Sequence, residues 1–359
     1  MTIVSHNHPF VVGVDTHACK HVFAVLAATG EHLGTRSFPT HRAGMARALD
    51  FVGRLCGGDL DTLWVVEGAA SYGTILAGML QERGYQVVEA PRVPSAMRHG
   101  VGKSDTLDAH AIATVALATQ VHLLRHPRNR EGVREAMSIL VGARESMTRE
   151  RTAAHNALTA VLRTHDLGID ARKAPTLTQV KTIAAWRTRH EDIATSTARE
   201  EATRLARRLI DLDKDITANH HQLHTLVAAS PAAPLLDMTG IGVVTAAIAY
   251  TAYSHPGRFR SEAAYANLAG VAPIPASSGN TTRHRLNRGG DRQLNRALHI
   301  AVLVRMTHDP ETRDYLHKRT AQGKTPREIR RILKRYLARR IYRILEANHP
   351  HPTTTQAAA

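Results

Sequence analysis

FVVGVDTHACKHVFAVLAATGEHLGTRSF, residues 10–38, decides the fold. Its first six residues form an apolar run that closes on Asp15; residues 20–28 (KHVFAVLAA) return as a second run after a tight connection, and a third strand near residues 31–38 completes the set. Short apolar runs bounded by turn residues read as buried strands, so the stretch is a three-strand meander. Residues 41–55 then carry Met45, Leu49 and Val52 at helical spacing, and residues 62–67 (TLWVVE) are a fourth apolar run, again closing on an acid. Residues 75–83 read as helix, residues 85–90 (YQVVEA) as a fifth strand and residues 105–118 as helix. Three strands followed by alternating helix and strand is the element order of an RNase H-like α/β fold.

In that order Asp15 and Glu67 end adjacent strands, and the helix opening at Asp105 lies across them. Residues 101–113, VGKSDTLDAHAIA, place Asp105 and Asp108 three apart on one helical face. Carboxylates crowded in this way repel unless a cation sits among them, and hard divalent ions take such oxygen ligands. Each acid alone has a plainer reading: Ser104 or Asp105 as helix cap, Asp108 as complement to the helix N-terminus, Asp15 as a turn residue and Glu67 as a polar strand end. Four together in one domain point to a two-ion site of the kind that clamps the attacking and leaving oxygens of a phosphoryl transfer.

The chain is long enough, at 359 residues, for two or three domains. A formal charge of +16 calls for a polyanionic partner, with nucleic acid the default. The basic residues accompany ordinary globular patterning, which disfavours a membrane-surface anchor. Aromatic residues are only 4% of the chain, so base stacking is not the main mode of binding and backbone contacts dominate. Cys19 and Cys56 form neither a metal-ligand spacing nor a disulfide framework. No apolar run of membrane-spanning length and no signal-peptide stretch occurs, so a cytoplasmic protein without membrane partners is expected.

Beyond residue 125 the reading turns helical. Val133, Met137, Leu140, Met147, Ala154, Leu158 and Val161 follow a four-three register interrupted by Arg144 and Arg151. A second register runs through Leu205, Leu209, Leu212, Ile216, Asn219, Leu223 and Leu226, with Asn219 at a seam position where a polar residue fixes register. These two coiled-coil helices pair either within one chain or between chains. Arg204, Arg207 and Arg208 beside them read as a solvated face. SPAAP at residues 230–234 breaks the helix, and Gly240 and Gly242 then sit in a turn before another helix, resembling a helix-hairpin-helix that holds a phosphate on backbone amides, or else an ordinary helical hairpin. Residues 259–268 read as helix with Ser261 as N-cap. The stretch 270–291 is rich in glycine, proline and serine and carries no regular structure in this reading; Arg283, Arg285, Arg288 and Arg292 in and after it favour a phosphate site. Residues 324–346 open with a capping box at Thr325 and Glu328. Their apolar stripe runs through Ile329, Ile332, Leu333, Tyr336, Ile341, Ile344 and Leu345, with basic residues around the rest. The division is therefore residues 8–125, 126–230 and 231–347, with a disordered tail at 348–359.

The settings GVDTHACKHVFAV, VVEGAASYG and GKSDTLDAHAIA around Asp15, Glu67, Asp105 and Asp108 resemble the DEDD domain of the insertion-sequence transposases of the IS-one-ten type, also called bridge-RNA-guided recombinases. The likeness covers roughly residues 10–160, and a second covers about residues 235–345, which resemble the family's C-terminal transposase domain. It implies a RuvC-like domain in which the four acids hold Mg²⁺, or Mn²⁺ in its place, with Lys103 before the pair in the expected position. It further implies a serine nucleophile in a Ser-Gly setting: Ser278 before Gly279 fits best, and the adjacent Ser277 is the alternative. The implied partners are double-stranded DNA, both donor and target, a structured guide RNA and further copies of the chain, as a dimer or tetramer; the implied place is the prokaryotic nucleoid. Three other readings compete. A RuvC-like nuclease would use water as nucleophile, and a nucleic-acid scaffold would not need all four acids. An actin-like ATP-binding protein would need glycine-rich phosphate turns, which Thr16, His17 and Ala18 after Asp15 do not supply.

Overall fold

The computed structural model describes residues 2–94, 104–128, 130–277, 284, 285, 287 and 289–349. Lys103, Ser278, Arg283 and Arg288, and the expected tail from residue 350 onward, lie outside the described residues. The chain divides into two compact units, Met1–Arg130 with Ser254–Arg260, and Glu131–Tyr253 with Ser261–Ala359.

The first unit is mixed α/β. After a short helix α1 (Val4–Asn7) come β1 (Phe10–Thr16), β2 (Lys20–Ala27), β3 (His32–Pro39), α2 (Arg42–Cys56), β4 (Leu63–Val66), α3 (Thr74–Gln81), β5 (Val87–Glu89) and α4 (Asp105–Leu117). The sheet order is β3-β2-β1-β4-β5, with antiparallel pairing among β1, β2 and β3 and parallel pairing of β1 with β4 and β4 with β5. Strand alternation assigns the two faces. Val12, Val14, Phe23, Trp64 and Val66 pack with Met45, Ala48 and Val52 of α2 and Leu76 and Leu80 of α3. Val11, Leu63, Val65 and Val88 pack on the other face with Ile112, Ala113, Ala116 and Leu117 of α4. Each large apolar side chain fully buried here contributes roughly 1.5–3 kcal/mol.

Gly13 sets how closely α4 lies on the sheet. A Cβ at this position would stand 2.2 Å from the Ala109 carbonyl oxygen and 2.7 Å from the Ala113 amide, both rigid backbone. Gly13→Ala must therefore lift the helix off β1, at a cost of about 1–3 kcal/mol or more from overpacking. A lowered melting temperature together with impaired activity is the expected result; wild-type stability would show that α4 has room to move.

The second unit is mostly helical: α5 (Gly132–Thr164), α6 (Leu177–Ala184), α7 (Ile193–Ala228), α8 (Val243–Tyr253), α9 (Glu262–Leu268), a two-residue ladder of β6 (Ile274–Pro275) with β7 (His284–Arg285), then α10 (Arg292–His308), α11 (Pro310–Ala321) and α12 (Pro326–Asn348). The long helices α5 and α7 pair within the chain, antiparallel, around Ala154, Leu158, Leu162, Ala202, Leu205 and Leu209. The arginines that interrupt the α5 register are part of this pairing. Arg144 donates to the Ile216 carbonyl at 3.0 Å, Arg151 meets Asp213, and the buried Asn219 donates to the Leu140 carbonyl at 2.9 Å. Arg204 and Arg208 are likewise engaged, with Glu201 and Glu150, and Arg207 donates to the Ala184 carbonyl, so that face is tied by internal pairs.

Three local expectations need correction. The helix expected over residues 259–268 begins only at Glu262, while Ser261 is its N-cap as read, with an extended backbone and a side chain that accepts from the Ala264 amide. The stretch 270–291 contains the β6–β7 ladder, where irregular chain was expected; Pro275 is tolerated because the ladder is only two residues long. The α12 capping box forms as read, and Ile329, Ile341 and Leu345 of the expected stripe are buried, but Tyr336 is 45% exposed and Lys334, Leu337 and Ala338 are buried beside the stripe.

Candidate functional site

The alternation that packs β1 also delivers its acid. Val11 and Gly13 face α4, so Asp15 continues the same row, one step beyond the place where Ala109 meets Gly13. Asp105 lies one helical turn before Ala109 and so stands near Asp15. Ser104 caps α4 by accepting from the Leu107 amide at 3.3 Å, so neither Asp105 nor Asp108 is the helix cap. Glu67 follows β4 on the face shared with Leu63 and Val65. Its amide donates to the Val14 carbonyl at 2.9 Å and its carbonyl accepts from the Thr16 hydroxyl at 2.7 Å, which fixes the two strand ends side by side.

These residues line a cleft of about 490 Å³ formed by Asp15, Thr16, His17, Glu67, Gly68, Ser71, Tyr72, Asp105 and Asp108. All four acids expected to act together are in it. Within the cleft the tightest set includes a residue not foreseen. Ligand atoms of Asp15, His17 and Asp105 lie within 4.8 Å of one another. The imidazole Nε2 of His17 is 3.0 Å from Asp15 and 3.6 Å from Asp105, and the Lys20 ammonium is 3.0 Å from Asp105. The available signal for both was the tight connection after β1, which returns Lys20 to the mouth of the strand that carries Asp15.

Electrostatics favour a cation here. Asp15 is 6% exposed, and its carboxyl is held above the ordinary range by burial, against the opposing effect of His17; Asp108 and Asp105 raise it further. The donor set of carboxylates with one imidazole suits a divalent metal ion. Lys20 and Asp105 are 54% and 40% exposed, so their pair is worth at most about 1 kcal/mol and is readily displaced by such an ion.

In the second unit, Gly240 has φ +82°, and a Cβ there would meet the Ala301 carbonyl at 2.6 Å; Gly242 precedes α8 in open space. Ser277 is exposed just beyond β6, Arg285 is exposed in β7, and Arg292 is the exposed first residue of α10, whose amides are capped by Asp291. These residues belong to a different compact unit from the four acids.

Residues 12–165 match the DEDD transposase family of IS110, and residues 232–317 match the transposase family IS116/IS110/IS902. The chain belongs to the IS110-type transposase family. The first match contains the four cleft acids and the second contains the serine stretch. The transposase is 26% identical, over 88% of both chains, to an insertion element IS110 protein of 43.6 kDa from Streptomyces coelicolor. It is also 26% identical to an insertion element IS900 protein of 42 kDa from Mycobacterium paratuberculosis, over 98% of this chain and 99% of that one. As an enzyme of this family it acts on DNA. No helix among the described residues is long and apolar enough to cross a membrane.

Proposed function

We propose that this transposase cuts and rejoins DNA through a Mg²⁺-dependent RuvC-like DEDD site and a serine nucleophile, with a structured RNA choosing the DNA. The observation that carries the reading is the convergence of Asp15, Glu67, Asp105 and Asp108 on one cleft. The sheet, three antiparallel strands continued by two parallel ones with α4 laid over β1, supports the RuvC-like assignment. The four acids, with His17, would hold the metal, Mn²⁺ substituting for Mg²⁺; when bound it supplies positive charge for the developing oxyanions of phosphoryl transfer. The protein's part is to hold the carboxylates in place: Asp15 by burial, Glu67 by its backbone bonds, Asp105 and Asp108 by the capped start of α4. Lys103, Gly240, Gly242, Arg283, Arg285, Arg288 and Arg292 hold phosphates in this reading, and Ser278 or Ser277 attacks. The enzyme works as a homo-oligomer on donor and target duplexes at the nucleoid, with residues 8–125, 126–230 and 231–347 as its functional divisions.

Guidance by RNA follows from abundant positive charge without a base-reading module such as a zinc finger or homeodomain. The protein grips backbones and base pairing selects the site. RNA that copurifies with the protein should carry stretches complementary to its DNA targets, and RNase treatment should abolish site-specific recombination while leaving salt-sensitive DNA binding. Log affinity should fall by roughly 0.7–0.9 per neutralised phosphate for each tenfold rise in salt. Efficient recombination at the specific site by RNA-free protein would sink guidance and leave the metal cleft standing.

A further inference from the structure

A cavity of about 600 Å³ lies between the β6–β7 ladder and α12, lined by His284, Arg285, Lys324, Arg331, Lys334 and Arg335 among others. The carboxylate in its lining is that of Glu328, which is occupied by the capping box at Thr325. Arg335 is neutralised by a two-armed pair with Glu262. Lys334 differs from these neighbours. It is 8% exposed, and its ammonium donates at 3.0 Å to the Asn295 side-chain oxygen. Asn295 is itself held in orientation, because its amide N–H donates to the Ala269 carbonyl at 2.7 Å. No carboxylate among the described residues pairs with Lys334. Burial, with Arg331 and Arg330 close by, pushes its pKa down.

Burying a cation without a counter-ion is costly, and an anion entering the cavity offsets that cost. The wall formed by His284 and Arg285 pairs with Ile274 and Pro275, two residues before Ser277, so an anion seated here lies against the strand pair from which the serine stretch departs. We propose that this cavity seats a phosphate of the DNA backbone, with Lys334 as its buried anchor and Lys324, Arg331 and Arg285 at its rim. The assignment rests on the reading that the chain handles DNA as a strand-cleaving enzyme. Its role is positioning: it fixes the register of the backbone beside the serine stretch.

The test uses the full-length protein in EDTA, so that binding is scored apart from cleavage. Lys334→Met should raise the melting temperature of the free protein, because it removes an unpaired buried charge. It should also weaken binding of a defined duplex several-fold and flatten the slope of log affinity against log salt by about one. Lys334→Arg should restore most of the affinity, and Arg331→Gln at the exposed rim should lower it without loss of fold. Lys334→Met that melts lower and binds with unchanged affinity and slope would make Lys334 a structural residue and overturn the proposal. Loss confined to an RNA duplex would overturn the DNA assignment. Inorganic phosphate that stabilises wild type as strongly as DNA, with no change of DNA slope in the variant, would make the cavity a free-phosphate site. A wild-type protein that binds no duplex would sink the DNA reading itself, a result distinct from all of these.

Discussion

Asp15→Asn is expected to abolish strand cleavage while raising the stability of the metal-free protein. The first effect should be roughly 10²–10³-fold or more, the scale on which one preorganised charge-stabilising group acts. The second follows from the sign of its shift. Burial, with Asp108 and Asp105 adding repulsion, raises the Asp15 carboxyl above the ordinary value of 3.8 against the opposition of His17. The folded chain therefore holds this proton more tightly than the unfolded chain. Stability falls as pH rises from the ordinary carboxylate value through the raised one, and at neutral pH the full cost is present. Asparagine keeps the shape without the charge, so it should melt higher in EDTA. Divalent metal should reverse the ranking: an ion at a hundred times its Kd stabilises wild type by about 2.7 kcal/mol, and the variant should gain far less. Glu67→Gln, Asp105→Asn and Asp108→Asn should each abolish cleavage with the fold retained, and double variants should be little worse than singles because the acids act as one unit. Near-normal cleavage by two of the four variants, or an Asp15→Asn protein that melts lower in EDTA and responds to metal like wild type, would remove the metal cleft from the mechanism.

β1, β2, β4 and β5 were legible because each is a short apolar run stopped by a turn, β3 because it completes the meander, and the acids because they close such runs or open a helix. Their convergence depends on less visible residues. Gly13 has no side chain to pattern, yet it lets α4 settle on β1 and bring Asp105 toward Asp15. His17 and Lys20 sit in a connection that reads as an ordinary turn, and only the pairing of Thr16 with His21 shows that both stand at the cleft. In the second unit, Arg144 and Arg151 looked like breaks in an apolar seam because periodicity counts charges as solvent-facing. Their guanidinium groups instead bind the backbone and a carboxylate of the opposite helix, which no one-dimensional register expresses. Lys334 was hidden for a related reason. It is one cation among many on a basic helix, and its burial, with its bond to Asn295 of α10, does not show in the apolar pattern of α12.

The Ser277→Ala/Ser278→Ala double variant is expected to form no covalent protein–DNA intermediate and to lose strand exchange by several orders of magnitude. In the proposed reaction a serine Oγ attacks the DNA phosphorus, the bond from phosphorus to the 3′ oxygen breaks, and the proton from serine ends on the freed 3′ hydroxyl. The 5′ side is left as a phosphoserine ester. A neutral serine is a poor nucleophile, so the proposed step needs activation and a stabilised leaving oxygen, both of which a metal held by the four acids would supply. Activity that requires both features restrains stray cutting. Ser277 is exposed just past β6, and Arg285 is exposed on the paired strand, able to brace a phosphate. The ester keeps the energy of the broken bond, so rejoining is the same step reversed by a new 3′ hydroxyl and needs no nucleotide cofactor; water as nucleophile would leave ends that require another energy source. The measurement is to trap cleavage on a nicked or mismatched duplex, digest with protease and map the DNA-linked peptide by mass spectrometry. Single substitutions assign the atom: an adduct that survives Ser277→Ala and disappears in Ser278→Ala places it at Ser278, and the reverse places it at Ser277. Full cleavage by the double variant, with free 5′ phosphates and no linked peptide, would replace the serine mechanism by hydrolysis at the carboxylate cleft.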